Sequence, residues 1–219
     1  SLEIIEKKLD EPLSDPSILP TFLLSQFARK EVKVALSGDG ADELFCGYAP
    51  FKAIKFLFIL ALFPKAFGNF ITNVTESIPS KDAYMSLHFL IKHVSRGLGW
   101  PSYQQVFRWM SPLSDRNISN ILNQETAAKM DVKNTWDNLL KSNNYKNKDI
   151  TNILSKQFQE FYLPNDILTK VDRASMLNSL EVRSPFLAKS IVNFSNTLPN
   201  EFKVKNNQTK VILRQIASN

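Results

Sequence analysis

Cysteine, histidine and glycine are all scarce in this chain. One Cys, Cys46, among 219 residues rules out an internal disulfide, and with only His88 and His93 beside it no four-ligand Cys/His zinc site can form. Secreted disulfide scaffolds and zinc modules are excluded. Long apolar runs are missing too. The longest, FLFILALF from Phe56 to Phe63, lies between Lys55 and Pro64 and falls short of the roughly 20 residues that cross a bilayer. No membrane partner is expected on that basis. The chain opens at Ser1 without a Met or a signal-peptide pattern, so it reads as an excised piece of a cytoplasmic protein.

What is present is enough for a buried core: 43% of residues are hydrophobic. The net charge of +6 is unevenly spread. Residues 1–50 hold five Lys/Arg against nine Asp/Glu, which leaves the remainder strongly basic. Such asymmetry fits either an anionic partner or a solvated lysine surface. No RGG tract, zinc knuckle or RNP-type aromatic string accompanies it, so no nucleic-acid partner is expected. A non-catalytic helical module for anionic partners stays open as an alternative.

Six Gly and long stretches at helical spacing predict a mainly α chain with few strands. A helix is expected over Ile18–Lys30, with Leu19, Phe22, Leu23 and Phe27 on its buried stripe. A buried strand follows at Val32–Leu36. Nothing else reads as strongly as a strand, so its partner strands are expected outside this chain, and its free edge makes a homodimer a possible assembly. Residues 49–154 read as helices joined by turns at Pro79–Lys81, Gly97–Ser102, Ser111–Asn117 and Ser142–Lys148. Phe51, Phe56, Phe58, Phe63, Phe67, Trp100, Trp109 and Trp136 are expected in the core. Farther on, Asn165 or Asp166 is placed to start a helix over Ile167–Leu180. An extended elbow at Ser184–Leu187 and a helix over Ala188–Thr197 come next. Lys210 and Arg214 fall four apart on a last helix.

The chemistry concentrates at Ser37-Gly38-Asp39-Gly40-Ala41-Asp42-Glu43, after the strand and before a helical turn. Open α/β sheets place ligands there. Gly38 and Gly40 let backbone N–H groups approach a ligand, and Ser37 adds a hydroxyl. Asp39, Asp42 and Glu43 crowd three carboxylates into five residues, a set that suits Mg²⁺ bridged to phosphates. An Asx turn with a dipole-favoured helix start explains the same residues equally well. The absence of a third Gly and of GK[ST] argues against the Rossmann and Walker-A patterns.

The string VKVALSGDGADELFCGY, Val32–Tyr48, resembles the LSG(E/D)GxDExFGGY signature of the synthetase domain of glutamine-dependent asparagine synthetases. A second block, LPNDILTKVDRASMLNSLEVRSPFL from Leu163 to Leu187, is similar to that family's LPxDxLxKxDRxSMxxSLExRxPFLD. Asp10-Glu11-Pro12 with Asp15, and Lys210 with Leu213-Arg214, fall where the family has DEP…D and K…LR. The resemblance covers essentially the whole chain, firmly over residues 10–48 and 162–214.

It implies a fragment of an α/β adenine nucleotide α-hydrolase-like (ATP-pyrophosphatase) domain. Its reaction would be the MgATP-dependent adenylation of aspartate to β-aspartyl-AMP, followed by attack of ammonia from a glutaminase domain to give asparagine. By position, Ser37, Gly38 and Gly40 would touch ATP, Asp39 would act on the acyl-adenylate, and Asp42 with Glu43 would hold Mg²⁺. Lys170 would reach a phosphate or substrate carboxylate, steadied by Asp166. Asp172, Arg173, Glu181 and Arg183 read more simply as internal ion pairs. The family's SGGxDS loop, its glutaminase domain and its later basic segment are not found in this sequence, so the fragment alone is expected to be inactive. Cys46 stands where the family usually has Gly. Asp39 is one methylene shorter than the Glu of strict asparagine makers, and Ala188 replaces the usual Asp after PFL. A sugar or peptide carboxylate as the acceptor therefore stays open.

Overall fold

The computed structural model describes residues 2–9, 11, 13–77, 87–111, 113–129 and 149–218. The expected turns at Pro79–Lys81 and Ser142–Lys148, together with Trp136, Asp10 and Pro12, lie outside the described residues. The chain divides into two compact units, residues 1–51 with 155–219, and residues 52–154.

In the first unit, α1 (Leu2–Lys8) and α2 (Ile18–Ala28) lead to β1 (Val34–Leu36) and the single-turn α3 (Ala41–Leu44). Ile5, Ile18 and Phe22 close on Ala174, with Leu9, Leu13, Leu19 and Leu177 packed around them. The inward stripe of α2 is thus Ile18, Phe22 and Ser25; Leu23 and Phe27, expected inside, are exposed.

The partner of β1 lies within this chain, contrary to the sequence expectation. Glu181–Arg183 forms β2 and pairs parallel with β1, Ala35 opposite Val182. A three-residue strand beginning at a charged residue carries too little β-branched pattern to stand out from its neighbours. Nor is β1 buried: Val34 and Leu36 are exposed.

A second sheet was equally hidden in the sequence. The strands β3 (Val204–Lys205) and β4 (Gln208–Thr209) form an antiparallel hairpin. Its turn residues Asn206 and Asn207 both have positive φ, the backbone that a tight two-residue hairpin demands and that Asn tolerates.

Between these elements the chain is helical. An α-helical segment, Ile150–Gln157, continues into a π-helical stretch, Phe158–Leu168, and then into Thr169–Met176. Asn165 and Asp166 therefore lie inside a helix rather than at its start. Pro164 sits in the wide stretch, where its carbonyl accepts the Thr169 hydroxyl at 2.8 Å. Helical stretches of this wide kind occur frequently at functional sites. Later in the chain the helix expected at 188–197 forms over Lys189–Thr197, and Val211–Ser218 closes the described chain.

The second unit is helical: α4 (Ile54–Ala61), α5 (Lys65–Ser77), α6 (Leu87–Ser95), α7 (Ser102–Met110), α8 (Asp115–Ile121) and α9 (Gln124–Lys129). Leu57, Leu98, Val106, Phe107 and Trp109 are buried. Gln105 ties the interior by donating to the carbonyls of Leu57 and Trp100, each at 2.9 Å. Two cations approach the Trp100 ring, Lys65 Nζ at 3.7 Å and the Arg108 guanidinium carbon at 3.4 Å from its centre. Of the Phe residues expected in the core only Phe51 is buried; Phe56, Phe58, Phe63 and Phe67 are exposed.

One helical stretch, Ala41–Ala61, has the length and apolar composition of a membrane span. It is not one continuous helix. The path breaks after Leu44, resumes as a 3-10 turn over Ala49–Ala53, and begins α4 only at Ile54.

Candidate functional site

The loop Ser37–Glu43 leaves the carboxyl end of β1, beside the carboxyl end of β2. The parallel pairing extends one step past the strands, where the Ser37 N–H donates to the Arg183 carbonyl at 2.9 Å. That register brings the next residue of each strand together. The Ser37 and Ser184 hydroxyls are 2.9 Å apart, and Ser37 Oγ is 2.7 Å from Asp39 Oδ2. A serine has one proton to give; Ser37 gives it to the carboxylate, so Ser184 is the donor to Ser37. Ser184 is a member of this cluster that the sequence reading placed only in an elbow.

Gly40 caps α3 with φ +90°, and a Cβ there would lie 2.3 Å from Leu187 Cδ2. Gly38 contrasts with it: a Cβ at that position would meet nothing within 4 Å. The space over Gly38 is therefore open, next to a hydroxyl and the half-buried Asp39. Such a cradle admits a ligand against the backbone.

The three carboxylates diverge. Asp42 Oδ1 pairs with Lys210 Nζ at 2.8 Å, both side chains remaining partly accessible. This pair lies directly over Gly47, where a Cβ would fall within 2.2 Å of Lys210 Cε. Lys210 precedes the last helix with positive φ and donates its N–H to the Phe45 carbonyl at 3.3 Å. It thus packs on the Asp42 loop rather than on helix surface, while Arg214 turns back to the Thr209 carbonyl at 2.9 Å.

Glu43 points inward. It is buried, accepts the Tyr48 hydroxyl at 2.5 Å, and its carbonyl accepts Ser155 Oγ at 2.9 Å. Burial raises its pKa above the ordinary Glu value, against the lowering effect of the Tyr48 hydrogen bond. The Tyr48 hydroxyl is pushed up as well, first by burial and then by Glu43. Tyr48 stacks on Phe158 at 4.8 Å and meets Tyr162 edge-on at 5.7 Å.

Tyr162 connects this aromatic cluster to a second polar group. Its hydroxyl is hydrogen-bonded to Asp166, whose pKa is raised by burial and then by the charge of Asp15. Lys170 is not held by Asp166, as the sequence spacing implied; its Nζ pairs with Asp15 Oδ2 at 2.8 Å, with both side chains largely buried. Burial acts to raise the Asp15 pKa, but hydrogen bonds from Lys170 and Ser17 outweigh it and hold the carboxyl below its ordinary value.

Of the remaining expected ion pairs, Arg173 reaches Glu11 at 2.7 Å, and Arg183 and Glu181 pair at 2.7 Å on the exposed side of β2. Asp172 is exposed.

Among the described residues no three His, Cys, Asp or Glu side chains converge as a metal cage. A Mg²⁺ bridged to phosphates needs only one or two protein carboxylates. Asp42, partly accessible in its pair with Lys210, has the chemistry for that requirement, whereas Glu43, buried and bonded to Tyr48, does not.

Comparison with known proteins agrees with the motifs on both sides of this site. The asparagine synthase family model matches residues 2–219. The chain is similar to asparagine synthetase [glutamine-hydrolyzing] 1 of Bacillus subtilis (strain 168), 34% identical over 216 residues, covering 95% of this chain and 31% of that protein. A putative asparagine synthetase [glutamine-hydrolyzing] of Mycobacterium tuberculosis (strain ATCC 25618 / H37Rv) is 28% identical over 94% of this chain and 30% of its own length. A third similar protein, putative asparagine synthetase [glutamine-hydrolyzing] 2 of Methanocaldococcus jannaschii, is 53% identical over 49 residues, 21% of this chain and 10% of that protein. No solved structure matches. The chain spans about a third of the length of the first two of these relatives. With the family model covering nearly its full length, this chain belongs to the asparagine synthase family, a family of ligase enzymes.

Proposed function

We propose that this chain is part of the synthetase domain of a glutamine-hydrolysing asparagine synthetase, with ATP and Mg²⁺ bound over the Ser37–Asp42 loop. The observation that supports the reading is the open backbone at Gly38, flanked by Ser37 and Asp39 at the carboxyl ends of two parallel strands, with the partly accessible Asp42 later in the same loop. In this reading the domain is of the ATP-pyrophosphatase type, and the whole protein works in the cytoplasm.

The chemistry has two steps. A side-chain oxygen of aspartate attacks the α-phosphorus of ATP, forming a P–O bond as the bond to pyrophosphate breaks. Ammonia from a glutaminase domain then attacks the acyl carbon, AMP leaves, and a proton from nitrogen passes to a base. Mg²⁺, when bound at Asp42, offsets charge on the departing pyrophosphate. Ser37 and the backbone at Gly38 and Gly40 orient the nucleotide. Asp39, anchored by Ser37, orients or deprotonates the ammonia. Glu43 acts by position: its bonds to Tyr48 and Ser155 fix the turn that presents Asp42. Lys170, oriented by Asp15, supplies positive charge for a substrate carboxylate.

The test is aspartate-dependent ATP/pyrophosphate exchange with Mg²⁺ by the intact protein, compared with Asp39→Ala and Asp42→Asn. Exchange is expected to need aspartate and to fall by about 100-fold or more in both variants. Exchange unaffected by either substitution would overturn the site. The short Asp39 leaves a second reading in which a sugar or peptide carboxylate replaces aspartate. MgATP binding with exchange supported only by a uronic acid or peptide acceptor would select it.

A further inference from the structure

The corner between α4 and α5 turns its apolar side chains outward. Six consecutive residues, Leu62 to Phe67, are exposed, and Phe58, Leu62 and Phe70 are 60%, 84% and 65% exposed. Exposed apolar side chains gathered in this way mark an interaction site or a liability. Rotation inward is blocked, because the inner faces are already committed. Leu57 is fully buried, the Gly99 N–H donates to the Leu60 carbonyl at 3.0 Å, and Gly68 lies against Leu98 with no room for a Cβ.

Along this stretch of the chain the charges are all of one sign. From Leu44 to Thr75 the sequence holds no Asp or Glu, while Lys52, Lys55 and Lys65 of the same stretch are exposed, Lys55 over the Phe56 ring. A two-fold contact with a second copy would bring the same lysines face to face. An anionic lipid surface complements both features, taking the Phe and Leu side chains at the headgroup boundary and the lysines on the headgroups.

We propose that the α4–α5 corner docks this protein peripherally on an anionic lipid surface. The contact lies in the interface and does not span, since the eight residues of α4 reach only about 12 Å. It departs from the sequence expectation of no membrane partner because exposure of Phe56–Phe70 is a tertiary property. It is independent of the reaction proposed above.

The experiment is flotation of the intact protein with phosphatidylcholine vesicles, with and without phosphatidylglycerol, at low and high salt. The protein is expected to float with phosphatidylglycerol vesicles at low salt only. Lys52→Glu with Lys55→Glu should cut the bound fraction about 10-fold or more, and Leu62→Asp should do the same. Leu62 is so exposed that its substitution leaves the fold intact, checked by an unchanged thermal melt. Failure of the native protein to float, equal flotation with pure phosphatidylcholine, or variants that float like the native protein would each overturn the proposal. So would light scattering that shows a lipid-free dimer dissociated by Leu62→Asp, since a second copy would then be the occupant.

Discussion

Gly38 and Gly40 stand two residues apart and answer to different constraints. Gly40 is demanded by the fold, through its positive φ and the Leu187 side chain that occupies the place of a Cβ. Gly40→Ala is expected to lower stability by about 2 kcal/mol, read from urea unfolding. At Gly38 nothing in the protein resists a methyl group. Gly38→Ala should therefore leave the urea midpoint unchanged yet weaken MgATP binding by about 10-fold or more, because the space it enters is the one assigned to the nucleotide. A Gly38→Ala variant that binds MgATP normally would move the nucleotide elsewhere. The sequence marks both glycines alike; only the surroundings separate a packing glycine from one with open space over it.

At the scale of elements, the Asp15–Lys170 pair joins the segment entering α2 to the helix Thr169–Met176. Asp15 also accepts the Ser17 N–H at 2.8 Å. Its folded pKa lies below the ordinary 3.8, so it contributes stability that is full above that value and is lost as pH falls through the folded value. Asp166 and Glu43 have raised pKa values, so they act oppositely and oppose folding as pH rises past 3.8 and 4.5 respectively. Lys170→Met removes the partner of a largely buried carboxylate and should cost about 3 kcal/mol at pH 7. Much of that loss should vanish near pH 3, where Asp15 can protonate once its partner is gone. Urea midpoints between pH 3 and pH 7 check this; a penalty constant across the range would rule out the electrostatic account. Sequence spacing chose Asp166 as the partner because i and i+4 share a helix face. The actual partner lies 155 residues away, a distance in sequence that spacing rules do not reach.

For the molecule as a whole, the decisive features are the surfaces left open. Leu24 and Phe27 on α2 and Leu36 on β1 are each about 70% exposed, an unusual state for a helix and a parallel strand. The chain also spans about a third of the length of the Bacillus and Mycobacterium relatives. Produced alone, these 219 residues should self-associate through the first unit, with a light-scattering mass that rises with concentration. Leu36→Lys should suppress the rise. A monomer at all concentrations in the unmodified fragment would show that the open surfaces do not drive association. Such association of the fragment is the form in which the homodimer expectation can be tested.

The sequence by itself determined the mainly helical character, the β1 strand, the position of the Ser37–Glu43 loop between that strand and a helical turn, and the family, because each rests on local pattern or on contiguous motifs. Tertiary structure decided what depends on distant neighbours. The pairing of β1 with β2 turned two short extended segments into a sheet and brought Ser184 to Ser37. Burial separated Glu43 from Asp42, and folding of the β3–β4 hairpin carried Lys210 to Asp42. The Phe-rich run after Lys55 shows the same division from the other side. Composition gives its apolarity, but which face meets solvent depends on what Leu57, Gly68 and Gly99 already contact. Local patterns fix conformation through the chain's own periodicity, whereas charge pairing and burial are set by groups that only folding brings within reach.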